Sequence, residues 1–245
     1  MLRRIDFGDY DLIITFFTLN RGKISIIAKY ARKSTKRFSG LLELFSVLQV
    51  VYETGRGKGL PYLQEAVLQY PFSQIRTDIK KTAYASYWAE LINEWLEEDC
   101  KQVQLFHLFQ HVLEKLDSGH SQEEMLSILF QMKFMTMSGL CPNLTHCSVC
   151  KIEIDKIKDS KFVFDLKTGG IVCNRCASGS SEKLYLSKGT IKQLLWIENK
   201  DLTRAERIRF APQTLMEGLN FLEAFVPYNI GKKLRSLEFL RQIRG

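Results

Sequence analysis

The sequence predicts an α+β chain, with a small β-barrel at the N-terminus followed by a helical domain that carries a four-cysteine, zinc-ribbon-like module. Three observations predict it. Residues up to about 70 alternate at period two. From about Pro71 apolar residues recur at period 3.6. Two Cys-x-x-Cys pairs, Cys147/Cys150 and Cys173/Cys176, interrupt the helical part. The expected boundaries are 1–79 for the barrel and 80–245 for the helical domain, with the metal module at about 141–180.

Leu12-Ile13-Ile14-Thr15-Phe16-Phe17 is followed by an Asn20-Arg21-Gly22 turn. Ile24, Ile26 and Ala28 then fall on one face, with Ser25, Ile27 and Lys29 on the other, which is the pattern of a hairpin. A second strand pair, Leu44 to Tyr52 and Tyr62 to Leu68, is joined across Gly55-Arg56-Gly57-Lys58-Gly59. Four or five short strands in under eighty residues, with internal glycines and no long helix, predict a small closed barrel of the oligonucleotide-binding (OB) type.

In the helical part, Ala85, Trp88, Ala89, Ile92, Trp95 and Leu96 make one apolar stripe. Leu105, Leu108, Phe109, Val112 and Leu116 make the next. Ser121 with Glu124 has the form of a capping box opening a third helix through Met125, Ile128, Leu129, Met132 and Met135, closed by Gly139 and Pro142. Beyond the cysteines, Ile191 to Ile197 reads as a short helix, Pro212 opens another, and Lys232 to Arg244 reads as a basic amphipathic helix.

Each Cys-x-x-Cys pair offers two thiolates from one tight knuckle. The 22 intervening residues suffice for a hairpin, Phe162-Val163-Phe164 and Ile171-Val172 around Lys167-Thr168-Gly169-Gly170, that brings the knuckles together. Four thiolates close a tetrahedral shell, so the expected role of Cys147, Cys150, Cys173 and Cys176 is a structural Zn²⁺ that replaces a core this segment is too short to build. Lys151, Lys156 and Arg175 would offset the net negative charge of the centre. Cys141 and His146 are alternative ligands, paired disulfides are the alternative chemistry, and Cys100 reads as an ordinary thiol.

The six cysteines, four of them in metal spacing, fit a reducing compartment, and no stretch approaches the roughly 20 apolar residues of a membrane span. The opening residues run into charged positions and not a signal-peptide core, so the expectation is a cytoplasmic protein. The net charge of +8 is uneven: residues 1–80 carry thirteen Lys/Arg against seven Asp/Glu, 81–140 four against nine, and 141–245 eighteen against eleven. Two basic lobes flanking an acidic middle point to an anionic polymer as partner.

No phosphate-binding glycine loop, nucleophile elbow or singled-out carboxylate pair is present, which argues against an enzyme and a small-molecule substrate. His107 and His111 have a metal-clamp spacing, but they fall on the polar face with Gln104, Glu114 and Ser118 and read as solvent-facing. The run Lys29, Arg32, Lys33, Lys36, Arg37 is accompanied by Ser34, Thr35 and Ser39 in a polar connection between strands, a composition suited to phosphates. With Lys23 at the hairpin turn, and Arg56 and Lys58 as outer contacts, these are the expected nucleic-acid-binding residues. Phe16, Phe17, Phe38 and Tyr62 lie nearby, mostly as core, with one or two as stacking platforms. A second basic group, Arg204, Arg207, Arg209, Lys232, Lys233 and Arg235, is expected to engage another strand or an acidic peptide.

Several runs resemble a known family. Leu2-Arg3-Arg4-Ile5-Asp6-Phe7-Gly8-Asp9-Tyr10-Asp11, Phe17-Thr18-Leu19-Asn20-Arg21-Gly22-Lys23, Ala28-Lys29-Tyr30-Ala31-Arg32-Lys33 and Gly231-Lys232-Lys233-Leu234-Arg235-Ser236 are similar, in order and over nearly the whole chain, to the RecO family of bacterial recombination mediators. The resemblance implies an OB domain, a helical domain with a zinc module, and no catalytic site. It also implies binding of single- and double-stranded DNA, strand annealing, and work with RecR and the acidic tail of single-strand binding protein to help load RecA in the nucleoid. Some members lack the cysteines, which argues that the metal holds structure only. Tyr30 departs from the pattern, because a small residue such as glycine is expected in that run. Two readings of other classes compete: a zinc-ribbon transcription- or RNA-associated factor, and a nuclease using carboxylate-bound Mg²⁺.

Overall fold

A computed structural model describes residues 1–34, 37–54, 59–177 and 184–244. The element order is β1 (Arg3–Phe7), β2 (Asp11–Thr18), β3 (Gly22–Ala28), β4 (Val47–Glu53), β5 (Tyr62–Tyr70), α1 (Ser73–Thr77), α2 (Ile79–Trp95), α3 (Val103–Ser118) and α4 (Glu123–Met137). Then come β6 (Lys161–Asp165), β7 (Gly170–Val172), β8 (Leu184–Ser187), α5 (Lys188–Asn199), α6 (Leu202–Ala205), α7 (Pro212–Ile230) and α8 (Arg235–Arg244). The chain forms two compact units, Met1–His120 with Leu234–Gly245, and Ser121–Lys233. The boundary expected at 79/80 rests on the change of period near Pro71, a local property, whereas the units follow packing: α2 and α3 are grouped with the strands.

In the first unit the strand order is β1-β2-β3-β5-β4, with β3 and β5 parallel and the other pairs antiparallel. This is the five-stranded Greek-key arrangement of an OB barrel. The seam beside β4 is bridged by the N–H of Phe45 to the carbonyl of Met1, 3.2 Å, and by Met1 N to the carbonyl of Ser46, 2.9 Å. Alternation does what it should in β3, where Gly22, Ile24, Ile26 and Ala28 are buried and Lys23, Ser25 and Ile27 are half-buried. Ile14, Ile26, Leu63, Phe16 and Phe38 form the barrel core. α2 starts where Asp78 accepts the N–H groups of Lys80 and Lys81 at 2.8 and 3.0 Å, an N-cap that satisfies two orphan donors. α3 buries Leu105, Leu108, Phe109, Val112, Leu113 and Leu116, and it ends at Gly119 in the left-handed region.

α8 returns to α2 through one carboxylate. Glu90 accepts the N–H of Arg235 at 3.2 Å, the N–H of Ser236 at 2.8 Å and the Ser236 hydroxyl, so it caps α8 from another helix while Leu237 and Leu240 are buried. Charged hydrogen bonds to helix N-termini contribute about 1–3 kcal/mol. Glu90→Ala is therefore expected to raise amide exchange across Arg235–Arg244 by about tenfold or more. Unchanged protection of those amides would show that apolar packing alone holds the helix.

In the second unit α4 is buried almost all round, including Ser127, Gln131 and Lys133. Gln131 donates to the Ser127 carbonyl at 3.1 Å. The Lys133 ammonium donates to the Glu198 carbonyl at 3.0 Å at the end of α5; burial lowers its pKa, and the nearby Glu198 and Asp201 oppose that shift. The capping box expected at Ser121/Glu124 does not form: Gln122 is the N-cap and makes no side-chain cap bond. α5 and α7 start as their sequences indicate, at the Ser187 cap and at Pro212. The expected hairpin is β6-β7, and β8 adds a third strand in the order β7-β6-β8. Phe164 of β6 meets Phe221 and Phe225 of α7 edge-on at 4.6 and 5.2 Å, which ties this sheet to the helices.

Candidate nucleic-acid interface and metal centre

The β2–β3 hairpin register pairs Leu12 with Ala28 and Thr18 with Gly22. Continued two residues past the ladder, it sets Tyr10, in the β1–β2 turn, opposite Tyr30, just after β3. Their rings are 6.3 Å apart and 18° from parallel. Hydrogen bonds pin the turn: the N–H of Tyr30 to the Asp11 carboxylate Oδ1, 2.7 Å, that of Arg32 to the Tyr10 carbonyl, 3.0 Å, and that of Lys33 to the Tyr30 carbonyl, 3.1 Å. Tyr30 has φ 54°, the region glycine favours, which accounts for the glycine expected there; a tyrosine costs about 1–2 kcal/mol in that conformation.

The cations predicted for nucleic acid separate into two groups. Lys29 lies 4.2 Å over the Tyr62 ring and Lys33 3.6 Å over the Tyr10 ring; both side chains are exposed. Arg32 is exposed beside them, bonded to the Asp9 carbonyl at 3.2 Å and to Asp6 at 3.5 Å. Between β1 and the connection after Lys33 lies a cleft of about 390 Å³ in which Arg4 and Arg32 face Asp6 and Glu43. Lys23 and Arg37, by contrast, are engaged by the chain itself. The Lys23 ammonium donates to the Asn93 carbonyl at 2.8 Å, and the Arg37 guanidinium donates to the carbonyls of Gln64 and Leu63 at 3.0 and 3.1 Å, stacking on Phe38. Lys36, Arg56 and Lys58 lie outside the described residues. Phe16, Phe17 and Phe38 are buried, whereas Tyr10 and Tyr30 are exposed; sequence reading did not count these two rings as stacking platforms. The hairpin register was the signal that finds them.

Arg204, Arg207 and Arg209 are exposed on α6 and the segment after it, Lys232 and Lys233 are exposed at the end of the second unit, and Arg235 is exposed on α8 in the first. Arg204 pairs with Asp201 at 3.5 Å. These six are thus spread over two units.

In the second unit the Sγ atoms of Cys147, Cys150, Cys173 and Cys176 all lie within 4.8 Å of one another, with Cys147 and Cys173 buried and the other two half-buried. A tetrahedron of thiolates about 2.3 Å from an ion has edges of about 3.8 Å, and Cys150 and Cys173 are 3.9 Å apart, so the donor set fits a metal ion of that coordination. The knuckles are built by backbone bonds: the N–H of Lys151 to the Cys147 carbonyl, 2.9 Å, with Lys151 at φ 61°, and the N–H of Ala177 to the Cys173 carbonyl, 3.0 Å. Burial pushes the Cys147 thiol up, but the N–H groups of Cys173, Cys150 and Val149 outweigh it and bring the pKa down to about 6. Hydrogen bonding with Cys173, then burial, holds the Cys176 proton up to about 12. Cys141 is engaged elsewhere, with Glu198 at 3.2 Å, and His146 Nδ1 is 2.9 Å from the Thr145 hydroxyl. Of the candidate ligands, the four paired cysteines are those whose donor atoms come together. Lys156 pairs with Glu153 at 2.8 Å and contributes little net charge, while Lys151 and Arg175 are exposed at the knuckles.

Fold and sites together define a class: an OB barrel with a basic, tyrosine-bearing edge, in one chain with a helical unit built beside a four-thiol centre. Within that class the chain belongs to the RecO family. The model described as recombination protein O N terminal matches residues 1–72, and that described as recombination protein O C terminal matches residues 76–238. The DNA repair protein RecO of Desulfosudis oleivorans is 46% identical over 249 residues, covering 100% of this chain and 96% of that protein. That of Desulfatibacillum aliphaticivorans is 43% identical over 245 residues, covering 100% and 95%, and that of Syntrophus aciditrophicus 31% over 246, covering 100% and 94%. Among the described residues no helix is long and apolar enough to cross a membrane.

Proposed function

We propose that this chain is a DNA-binding recombination mediator in DNA repair, acting in the cytoplasm at the nucleoid. It binds single- and double-stranded DNA, anneals complementary strands, and helps load RecA onto DNA coated by single-strand binding protein, in concert with RecR and the acidic tail of that protein. The observation that carries the reading is the match of both RecO domains across nearly the whole chain, with relatives named DNA repair proteins. The site supports it: Lys29, Arg32 and Lys33 offer cations along one barrel edge, and Lys36, Arg56 and Lys58 extend the same track in sequence. Phosphate contacts of this kind hold a strand without reading it and leave its bases free to pair. The ion at Cys147, Cys150, Cys173 and Cys176 is Zn²⁺ in a structural role, since four thiolates leave no open position for chemistry. Arg204, Arg207, Arg209, Lys232, Lys233 and Arg235 are the proposed contacts for a second strand or the acidic tail.

Annealing of complementary strands coated by single-strand binding protein, without ATP, tests the function, and the double variant Lys29→Glu/Lys33→Glu tests the site. Annealing should occur with the wild type. The double variant should bind all sequences about tenfold or more weakly at low salt. Its plot of log affinity against log salt should flatten by roughly 0.7 per lost single-strand phosphate contact. No annealing by a protein that still binds naked DNA would reject the mediator role, and a variant with wild-type affinity and slope would reject the site.

A further inference from the structure

We infer that Tyr30, backed by Tyr10, is a stacking platform for an unpaired base of single-stranded DNA, so that this edge of the barrel grips bases as well as phosphates. The inference rests on the proposed DNA binding and deepens it. Three observations carry it. Tyr30 is 66% exposed, and its backbone sits at φ 54°, where glycine would be relaxed. The strained turn is nonetheless held fast by the Asp11 carboxylate, by the bond from the Arg32 N–H to the Tyr10 carbonyl and by that from the Lys33 N–H to the Tyr30 carbonyl, so the ring is presented on a rigid base. Among the described residues its ring contact is with Tyr10, itself 37% exposed and outside the barrel core.

The surroundings specify the occupant. Lys29 immediately precedes Tyr30, Lys33 follows three residues on and caps the Tyr10 ring at 3.6 Å, and Arg32 lies between, partly neutralised by Asp6. A flat apolar ring between two lysines complements a nucleotide, with the base on the ring and the phosphates before and after it on the cations. A duplex offers this ring no free base face, because its bases are already stacked on one another. The tyrosines therefore add a salt-independent increment for single strands on top of the cationic contribution both forms share.

The test uses the full chain and three DNA probes of one length, about 16 nucleotides: a single strand, its duplex, and a single strand of abasic residues that keeps the phosphates. Wild type should bind the base-bearing strand about tenfold more tightly than the abasic one at every salt concentration, the effect of roughly one stacked base. Tyr30→Gly should remove that ratio, while Tyr30→Phe should keep it. Glycine suits the φ of this position, so Tyr30→Gly should melt no lower than wild type, and a lost ratio cannot be put down to misfolding. A wild-type ratio in Tyr30→Gly overturns the stacking role while leaving phosphate binding standing. A wild type that binds none of the three probes overturns the DNA reading and this inference with it.

Discussion

Gly22→Ala should lower the melting temperature by roughly 10 °C, from a loss of about 3 kcal/mol or more. Gly22 has φ 72°, and a Cβ there would lie 1.9 Å from the carbonyl oxygen and 2.4 Å from the carbonyl carbon of Cys100. The obstacle is backbone and cannot rotate away. Relief requires the segment after α2 to lift off the β2–β3 turn. That would break the bond from the Asp99 N–H to the Lys23 carbonyl, 3.0 Å, and loosen those from Lys23 to Asn93, 2.8 Å, and from Arg21 to Asp99, 3.3 Å. Left-handed backbone adds about 1–2 kcal/mol for any residue with a Cβ. Thermal unfolding followed by circular dichroism measures the shift. A variant melting within 2 °C of wild type, on the scale of about 2–4 °C per kcal/mol, would mean that this turn is not docked.

The same turn shows how far sequence reaches. Its glycine and the alternation on both sides place the hairpin and set its register, because a one-residue slip would turn Ile24, Ile26 and Ala28 outward. What the turn leans on is not legible, since the contact at Cys100 joins residues 78 positions apart and depends on where α2 ends. Lys23 and Arg37 illustrate the same gap. Both were counted as phosphate contacts on charge and position, yet long flexible side chains take their partners from tertiary packing, here the end of α2 and the carbonyls of β5. Lys29, Arg32 and Lys33 are exposed together, as three cations so close in sequence allow.

Tyr10 and Tyr30 lie between these cases. Neither falls in the apolar pattern, so attention goes to the buried phenylalanines, but the register that packs the hairpin also brings the two rings together. In the helical unit, α3 was legible because one face is polar, whereas α4 is buried on every side and gives a blurred stripe with no true cap. β8 was missed because a four-residue strand whose partner is β6, some twenty residues earlier, carries too little pattern of its own.

The cysteines were legible because spacing alone defines a knuckle, and they support the second large effect. Cys173→Ser should cost several kcal/mol of the about 10–16 kcal/mol that a structural zinc contributes to such modules. Cys173 is buried and its sulfur lies 3.9 Å from that of Cys150 in the other knuckle, so its replacement removes a thiol at the junction of the two knuckles. The damage should be local at first. Phe164 should stay packed against Phe221 and Phe225, while the bonds from Asn143 to Gly169, 2.8 Å, and from Ser148 to Ile171, 2.8 Å, would lose the support of the proposed ion. Limited proteolysis should then cut between residues 143 and 177 before it cuts α7. Acid should mimic the substitution. The Cys147 pKa of about 6 lies below the ordinary thiol value of 9.0, so the stability its thiolate brings is complete above about pH 9 and lost as pH falls through about 6. Cys176, held near 12, must release its proton when an ion binds, which makes metal affinity rise with pH in the same sense. Elemental analysis of protein purified without chelator should find one zinc per chain, falling on acidification as protons compete with the ion for the thiolates. Protein free of metal, or a Cys173→Ser variant that keeps its zinc and melts with the wild type, would show that the four thiols do not form a structural centre.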